Sequence, residues 1–432
     1  MLERRHYEVL VVGAGPGGLS AACTAAACGK RVALVDMQPR PGGQVWRHDV
    51  AHDAPLAARR AIARAAADVE LLCGAQVVDA GHGVLRLERD GDAFDVGHDA
   101  LILATGAREL LLPFPGWTLP GVSGAGGLQA LAKQGFPVAG KRVLVAGSGP
   151  LLLAAAVSLR RHGVELLGIV EQAPQAQVMR FARGLWRWPA RAAQALQLQA
   201  QLIGVPRFDG HCVVAAHGRD VLESVELEGA DGHRHRIDCD LLGIGYGLLP
   251  NVELPALLGC ALEPDGAHQR VRVDAWQRTT IDGVYAVGEA CGIGGLRSAW
   301  LEGAIAAHVA CGQPQQAKTL MHRRDRARRF AAALAQTFAL QPRVHRLASP
   351  DTLVCRCEDV PLAALDGYTD ARAAKLATRC GMGACQGRIC GAALAELGRF
   401  PRGGGRPPLF PARLATLAAA SESREPLLGV QP

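Results

Sequence analysis

The chain has 432 residues, more than one ordinary core accommodates, so two or three domains are expected. Its composition, with 49% hydrophobic and 20% charged residues, is that of a globular protein and excludes a disordered one. The net charge is +7, and basic residues concentrate in HRRDRARRF, but no aromatic platform or binding motif accompanies them, which argues against nucleic-acid binding.

The expected cellular location and the number of cysteines limit the chemistry that the cysteines can perform. No stretch of about 18 uncharged apolar residues is present, so a membrane span is not expected. The N-terminus leads straight into a strand without an apolar signal region, which predicts a cytoplasmic location. There, 13 cysteines favour metal or redox chemistry over disulfides. Eight are scattered and are interpreted as small buried hydrophobic residues: Cys23, Cys28, Cys73, Cys212, Cys239, Cys260, Cys291 and Cys311.

The segment YEVLVVGAGPGGLSAACTAAACGKRVALVD predicts a strand, a glycine turn, a helix and a second strand. In the pattern G-x-G-x-x-G the first glycine allows the tight turn, the second lets the backbone approach a pyrophosphate and the third lets the helix pack close. An acid ends the second strand, where it suits a ribose hydroxyl. The predicted dinucleotide-binding residues are Gly13, Ala14, Gly15, Pro16, Gly17, Gly18 and Asp36.

The segment KRVLVAGSGPLLLAAAVSLRRHGVELLGIVEQ repeats this pattern with Gly147, Gly149 and Glu171, but Leu152 stands at the third glycine position. No arginine follows the acid directly, which favours NADH over NADPH. Three interpretations stay open for this second site: an NADH site, a site for another adenine nucleotide without hydride transfer, and a vestigial structural domain.

Five cysteines cluster near the C-terminus, namely Cys355, Cys357, Cys380, Cys385 and Cys390. Four thiolates suit either tetrahedral zinc or an iron–sulfur cluster. A structural zinc site more often shows two C-x-x-C pairs, whereas this chain has C-x-C, then 22 residues, then three cysteines at steps of five. Both groups remain candidates on spacing, with iron–sulfur preferred.

Three further segments resemble those of two-dinucleotide-binding-domain flavoproteins, the family that includes ferredoxin and disulfide reductases. PRPGGQVW resembles the loop near the flavin, LILATGARE the crossing between domains, and TTIDGVYAVGEACG the late FAD motif, with glutamate where the family usually has aspartate. The resemblance implies FAD in the first site. It adds the cofactor-binding residues Gly42, Gly43, Gln44, Thr105, Gly106, Gly288 and Glu289, and no catalytic residue is assigned.

The C-terminal letters CRCE and TRCGMGACQGRICG resemble the ferredoxin-like [2Fe-2S] module that ends the FAD-carrying subunits of heteromeric amino-acid and opine dehydrogenases. This resemblance implies that Cys355, Cys357 and Cys385 bind the cluster. Related modules differ in the fourth ligand, so Cys380 and Cys390 both stay open. Cys390 is expected in the first turn of a helix.

The same resemblance implies a function. The chain would be an electron-transfer subunit of a hetero-oligomer, in which a partner flavoprotein containing FAD or FMN would oxidise an amino or imino acid such as D-hydroxyproline or an opine. Electrons would pass on to a downstream acceptor. The alternatives are a self-sufficient NADH-dependent oxidoreductase and a non-catalytic scaffold.

The expected fold class is α/β, with two Rossmann-like domains and a small helical C-terminal module. The expected boundaries are a split FAD domain at 1–115 and 245–320, an inserted nucleotide-binding domain at 116–244, a basic connector at 321–350, the cluster module at 351–400 and a tail at 401–432.

Overall fold

A computed structural model of the chain describes residues 4–81, 83–401 and 407–419. The N-terminal part contains β1 (Arg4–Val12), α1 (Pro16–Ala27), β2 (Val32–Asp36), α2 (Leu56–Asp68), β3 (Glu70–Cys73), β4 (Gln76–Gly81), β5 (Val84–Arg89), β6 (Asp92–Leu103) and β7 (Ala107–Glu109). The sheet order is β3-β2-β1-β6-β5-β4. Strands β3, β2, β1 and β6 are parallel, and β4, β5 and β6 form an antiparallel meander. The apolar run that ends β1 is buried, as expected of a central parallel strand.

A second Rossmann-like unit follows. Its elements are β8 (Val122–Gly124), α3 (Ala125–Lys133), β9 (Arg142–Gly147), α4 (Leu151–Arg161), β10 (Glu165–Glu171), α5 (Gln175–Gly184), α6 (Pro189–Ala200), β11 (Arg207–Asp209), β12 (Cys212–His217), β13 (Ser224–Glu228), β14 (Arg234–Asp238) and β15 (Leu241–Gly245). A parallel sheet has the order β11-β10-β9-β15-β8, and β12-β13-β14 form a separate antiparallel sheet. Leu152 is 1% exposed and packs in the core of this unit.

The chain then returns to the first unit. The returning elements are β16 (Leu248–Pro250), α7 (Glu253–Leu257), β17 (Leu262–Asp265), β18 (His268–Val271), β19 (Val284–Ala286), α8 (Gly295–Ala310) and α9 (Pro314–Thr337). Strand β16 pairs with β7 at the crossing between the two units, and β19 joins the first sheet beside β6. One sheet is therefore built from both sides of the insertion. The predicted α/β fold class with two Rossmann-like domains is confirmed.

The close crossing of α1 and α8 holds the two halves of the first unit together. A Cβ placed on Gly303 in α8 would lie 2.1 Å from the carbonyl oxygen of Gly17 in α1. One turn away, Ser20 Oγ donates a hydrogen bond of 2.7 Å to the carbonyl of Trp300. The helices touch through their backbones here, so a glycine is required.

The C-terminal region carries the cysteine cluster. Its elements are β20 (Leu353–Cys355), β21 (Val360–Pro361), α10 (Ala371–Thr378), α11 (Cys390–Glu396) and α12 (Leu414–Ala418). Cys390 begins α11, and Glu396 ends it with hydrogen bonds of 2.8 Å to His268 and 3.0 Å to His345. These contacts join the module to the first unit and to the segment after α9.

The predicted C-terminal tail falls partly outside the described residues. In its described part, residues 407–419, the backbone N–H of Leu409 donates to Val78 O at 2.8 Å, and the carbonyl of Ala419 accepts from buried Arg86 at 2.7 Å. This segment thus lies on the meander of the first sheet. None of the described helices is long and apolar enough to cross a membrane.

The substitution Gly303→Ala is expected to lower the free energy of unfolding by about 1–3 kcal/mol, because its methyl group would overlap the backbone of α1. Urea denaturation measures this change. Gly184→Ala is the matched control, since Gly184 ends α5 with no atom within 4 Å of its Cβ position. Equal denaturation midpoints for the two variants would contradict the role of the crossing.

Candidate functional site

The first glycine turn is closed on one side and open on the other. Gly13 has a φ of +105°, and a Cβ there would lie 2.2 Å from Ala104 O, while one on Gly18 would lie 1.7 Å from Gly13 O. Gly15 has only Gly43 Cα near it, at 4.0 Å. The packing of β1, α1 and β6 requires the glycines at 13 and 18, and the second glycine leaves space for a ligand.

The acid at the end of β2 is held beside this turn. Asp36 Oδ2 accepts a hydrogen bond of 2.6 Å from Ala14 N, and its Oδ1 accepts one of 2.7 Å from Gln38 N. Burial raises the pKa of Asp36, and these two backbone donors oppose that rise. The carboxylate is therefore oriented where the sequence predicts a ribose-binding acid.

The loop after β2 meets the same turn. Gly42 N donates to Ala14 O at 2.8 Å, and a Cβ on Gly43, which has a φ of +59°, would lie 2.7 Å from Gly15 Cα. Gln44 Oε1, in contrast, accepts from Arg47 at 2.7 Å. The structure thus brings the two loop glycines to the turn, whereas the amide of Gln44 is engaged within its own loop.

The crossing segment is tied to the returning chain. Thr105 Oγ1 donates to Asn251 O at 2.7 Å, Asn251 Nδ2 donates to Thr105 O at 2.9 Å, and Asn251 N donates to Gly106 O at 3.0 Å. Asn251 lies beyond the inserted unit in the sequence, and no motif marks it there. It fixes the position of the predicted Thr105–Gly106 turn.

The late motif depends on a glutamate that sequence reasoning missed. Gly288 N donates to Glu302 Oε2 at 2.8 Å, and Glu302 is only 3% exposed. Its Oε1 also accepts from Ser298 Oγ at 2.8 Å and from Arg328 Nε at 2.9 Å. Glu302 lies on the helix after the late motif and resembles any polar residue of an amphipathic helix, so its role could be seen only in three dimensions.

Glu289, which replaces the usual aspartate, reaches the start of α8. Its Oε1 accepts from Gly295 N at 2.9 Å, and burial raises the pKa of Glu289. The longer side chain therefore places one carboxylate oxygen on the N-terminus of α8. Among the hydrogen bonds of the described residues, its other oxygen has no partner and suits a cofactor hydroxyl.

These residues fit a dinucleotide such as FAD. The N-terminus of α1 follows Gly15 and carries no side-chain cap, so its backbone N–H groups are available to a pyrophosphate. The open face of Gly15 lets the phosphates approach the backbone. Asp36 and Glu289 supply acceptors for hydroxyl groups.

The second glycine turn has the same strand-to-helix geometry with a different acid arrangement. Gly147 has a φ of +135°, and a Cβ there would lie 1.9 Å from Gly245 O. Glu171 Oε2 accepts from Gly149 N at 2.6 Å, and its Oε1 accepts from Ala173 N at 2.9 Å. Burial raises the pKa of Glu171 to about 7.

The outer face of the second turn is covered by the chain itself. Phe338 lies 3.7 Å from the Cβ position of Gly149, and its carbonyl accepts from Ser148 Oγ at 2.8 Å. Gln172 extends the contact, because its Nε2 donates to Ser148 Oγ at 2.9 Å and its Oε1 accepts from Gln341 N at 2.8 Å. The segment after α9 therefore packs against the outer side of this turn.

The five predicted cluster cysteines come together. The sulfur atoms of Cys355, Cys380 and Cys390 all lie within 4.8 Å of one another, and all three residues are buried. The thiols of Cys357 and Cys385 lie close to each other beside this group. Cys357 is exposed, whereas Cys385 is half-buried. Cys380 and Cys390 both lie within 4.8 Å of Cys355, so this grouping leaves the fourth ligand open.

Backbone groups shape this cluster. A Cβ on Gly383 would lie 2.1 Å from Cys357 Cβ, so the loop can close around the pair only with glycine there. Burial raises the pKa of Cys385, but the backbone N–H groups of Ile389 and Gly387 outweigh it and leave that pKa below its usual value. Backbone donors around a sulfur favour the thiolate, which is the metal-binding form.

The segment that contains Cys355 and Cys357 is held against Trp117 and Thr118, just before β8. Trp117 Nε1 donates to Leu353 O at 2.6 Å, and the Arg356 guanidinium lies 5.2 Å from the centre of the Trp117 ring. Arg356 Nη2 also donates to Thr118 O at 3.3 Å. The C-x-C segment is therefore held against the region where the two Rossmann-like units meet.

Comparisons with known proteins identify the family of this chain. The sequence pattern of the pyridine nucleotide-disulphide oxidoreductase family matches residues 7–319. The chain belongs to this family. It is also 32% identical to hydrogen cyanide synthase subunit HcnB of Pseudomonas aeruginosa, over 89% of this chain and 91% of that protein. An opine oxidase subunit of Rhizobium meliloti strain 1021 is 32% identical, over 90% of this chain and 92% of that protein.

The chain thus shares the family of these subunits over almost its whole length and is an FAD-dependent oxidoreductase, as the sequence resemblance predicts. Among solved structures, L-proline dehydrogenase from P. horikoshii is similar with a TM-score of 0.67 and 19% identity, over 97% of this chain and 81% of that chain. Thioredoxin reductase of T. acidophilum is similar with a TM-score of 0.56 and 23% identity, over 71% of this chain and 98% of that chain. These likenesses show the shared fold.

The raised pKa of Glu171 predicts a pH dependence of stability. Because the pKa rises from its usual 4.5 to about 7, the folded chain favours the protonated acid; the contribution is complete below pH 4.5 and is lost as the pH rises through 7. Relative to Glu171→Gln, the free energy of unfolding of the wild type should fall by up to about 3 kcal/mol across this range. Urea denaturation of both proteins at several pH values measures it, and a constant difference would contradict the prediction.

Proposed function

We propose that the chain is the FAD- and [2Fe-2S]-carrying electron-transfer subunit of a heteromeric enzyme. A partner flavoprotein would hold and oxidise an amino or imino acid such as D-hydroxyproline or an opine. The gathering of five cysteine side chains, three of them within 4.8 Å, on a body with an FAD-type site carries this proposal. The names of the similar proteins, which are subunits of hydrogen cyanide synthase and of opine oxidase, support the heteromeric organisation.

The first site would hold FAD through the residues already described. The backbone N–H groups that open α1 would bind the pyrophosphate, and Asp36 would accept a hydrogen bond from a ribose hydroxyl. Glu289 would accept one through its second carboxylate oxygen. A flavin supplies two-electron chemistry, whereas an iron–sulfur cluster carries single electrons. A chain with both therefore connects hydride chemistry to single-electron acceptors.

The cysteine cluster would hold [2Fe-2S] with Cys355, Cys357 and Cys385 and with either Cys380 or Cys390. Three buried sulfur atoms keep water from one side of the site, and exposed Cys357 places its other side at the surface. Exchange of electrons with a partner or an acceptor requires such a surface approach. The alternative group, a structural zinc ion, uses the same thiolates but has no redox chemistry.

The contacts of the second glycine turn bear on which molecule donates electrons to the flavin. Hydride transfer from NADH would require a pyrophosphate at Gly149, where Phe338 lies 3.7 Å from the Cβ position and Ser148 is hydrogen-bonded to the Phe338 carbonyl. The segment 338–341 would have to separate from the turn first. This contact favours the partner flavoprotein as the electron donor over the alternative of a self-sufficient NADH oxidoreductase.

An anaerobic absorbance titration of the purified chain tests the donor. We expect NADH to leave the flavin and cluster bands unchanged and dithionite to bleach both, because the segment 338–341 packs against the second turn. Stoichiometric bleaching by NADH within the mixing time would instead establish the chain as a self-sufficient NADH oxidoreductase. Addition of the co-purified partner with an amino-acid substrate should then bleach the bands without dithionite.

The substitution Cys385→Ser should remove most of the iron and the low-temperature EPR signal of the dithionite-reduced chain, while FAD content stays unchanged. Cys73→Ser is the matched control, because Cys73 is a half-buried thiol in β3 outside the cluster. The same measurement on Cys380→Ser and Cys390→Ser identifies the fourth ligand. Zinc in place of iron in the wild type would contradict the [2Fe-2S] assignment.

The scaffold alternative is tested on the same variant within the assembled complex. If the cluster carries electrons, turnover per assembled complex should fall by at least about tenfold in Cys385→Ser, a loss of roughly 1.4 kcal/mol in transition-state free energy. If turnover per complex is unchanged and only the yield of complex falls, the cluster has a structural role and the electron-transfer proposal is wrong.

A further inference from the structure

We propose that Asp49, His52 and His162 form a binding site for one divalent zinc ion at the junction of the two Rossmann-like units. Asp49 and His52 lie in the loop between β2 and α2 of the first unit, and His162 follows α4 of the second unit. One ligand atom from each residue lies within 4.8 Å of the other two. The proposed function uses none of these side chains.

The hydrogen bonding of His162 prepares one nitrogen for a metal. Its Nδ1 lies 2.8 Å from the carbonyl oxygen of Ser158, and because a carbonyl only accepts, Nδ1 must carry a proton. Its Nε2 then faces Asp49 Oδ1 at 3.2 Å. A histidine that binds zinc usually donates its other ring N–H to a backbone carbonyl or a carboxylate, as Nδ1 of His162 does to Ser158 O.

His52 supplies the second, independent observation. Its Nδ1 is sealed from solvent and has no hydrogen-bond partner among the described residues. The atom lies 3.5 Å from Asp49 Oδ1, and the rings of His52 and His162 are 4.8 Å apart, edge to face. A buried polar atom without a partner costs free energy, and a metal ion between these three side chains would satisfy it.

Two of the three ligand separations match those of tetrahedral zinc. Zinc bonds to nitrogen and oxygen of about 2.0–2.1 Å at tetrahedral angles separate two ligand atoms by roughly 3.3 Å. The two measured separations from Asp49 Oδ1, 3.2 Å to His162 Nε2 and 3.5 Å to His52 Nδ1, lie on either side of that value. Three protein ligands leave the fourth position to water.

Positively charged side chains near the site compete with a metal ion for Asp49. Lys133 is near Asp49, and Arg47 and Arg161 are near Lys133. A divalent ion bound directly to Asp49 is a stronger counter-charge than a lysine held at a distance. Since the ligands come from both units, the ion would fix the orientation of the second unit relative to the first.

Zinc content per chain tests the site. The iron-loaded protein is equilibrated with zinc, freed of excess metal by gel filtration and analysed by mass spectrometry of the elements. We expect the wild type to retain one zinc ion per chain more than His52→Ala or Asp49→Asn. His48→Ala is the matched control, since His48 is an exposed histidine of the same loop, paired with Arg40 at 2.6 Å.

Thermal unfolding separates specific binding from misfolding. Zinc should raise the unfolding midpoint of the wild type and of His48→Ala, because a ligand that binds only the folded state stabilises it. It should leave the midpoint of His52→Ala unchanged, and all three proteins should unfold cooperatively without zinc. Absence of retained zinc in the wild type, or equal retention by the wild type and His52→Ala, would overturn the proposal.

Discussion

The backbone contact between α1 and α8 is the constraint on which the FAD site depends. A Cβ on Gly303 would lie 2.1 Å from Gly17 O, so the two helices can cross only through glycine. Next to Gly303, buried Glu302 accepts from Gly288 N at 2.8 Å. Gly17 belongs to the first cofactor turn and Gly288 to the late motif. A single helix crossing therefore brings together two segments that the insertion separates in sequence.

Glu302 also contacts α9, the helix that leads to the cysteine module. Arg328 on α9 donates to Glu302 at 2.9 Å, and Arg324, buried one turn earlier, donates to Ala275 O at 2.7 Å. These contacts hold α9 on the first unit along its middle. The helix then ends at the second glycine turn, where Phe338 covers Gly149. The cysteine module follows directly, so the position of the cluster and the closure of the second turn have one structural cause.

Sequence patterns predict features whose parts are neighbours along the chain. The fold class and the turn around Gly13 could be predicted because a strand, a glycine turn and a helix are neighbours along the chain. Leu152, the departure from the glycine pattern in the second turn, is a core residue of α4, and the closure of that turn comes from Phe338, far along the chain. Asn251 and Glu302 could not be predicted, since their partners lie across the insertion or on another element. The fourth cluster ligand stays open because both candidate thiols lie beside Cys355.

The two glycine turns show why a motif alone does not define a binding site. Both have a first glycine with positive φ and an acid that accepts from a backbone N–H of the turn. They differ on the outward face. Gly15 has one atom near it at 4.0 Å, whereas Gly149 faces Phe338, whose carbonyl accepts from Ser148 Oγ. A pyrophosphate needs accessible N–H groups at a helix N-terminus, so the open face of the first turn suits one better than the face of the second turn that Phe338 contacts. The open first turn and a cysteine cluster that reaches the surface at Cys357 are both consistent with the proposed exchange of electrons with another protein.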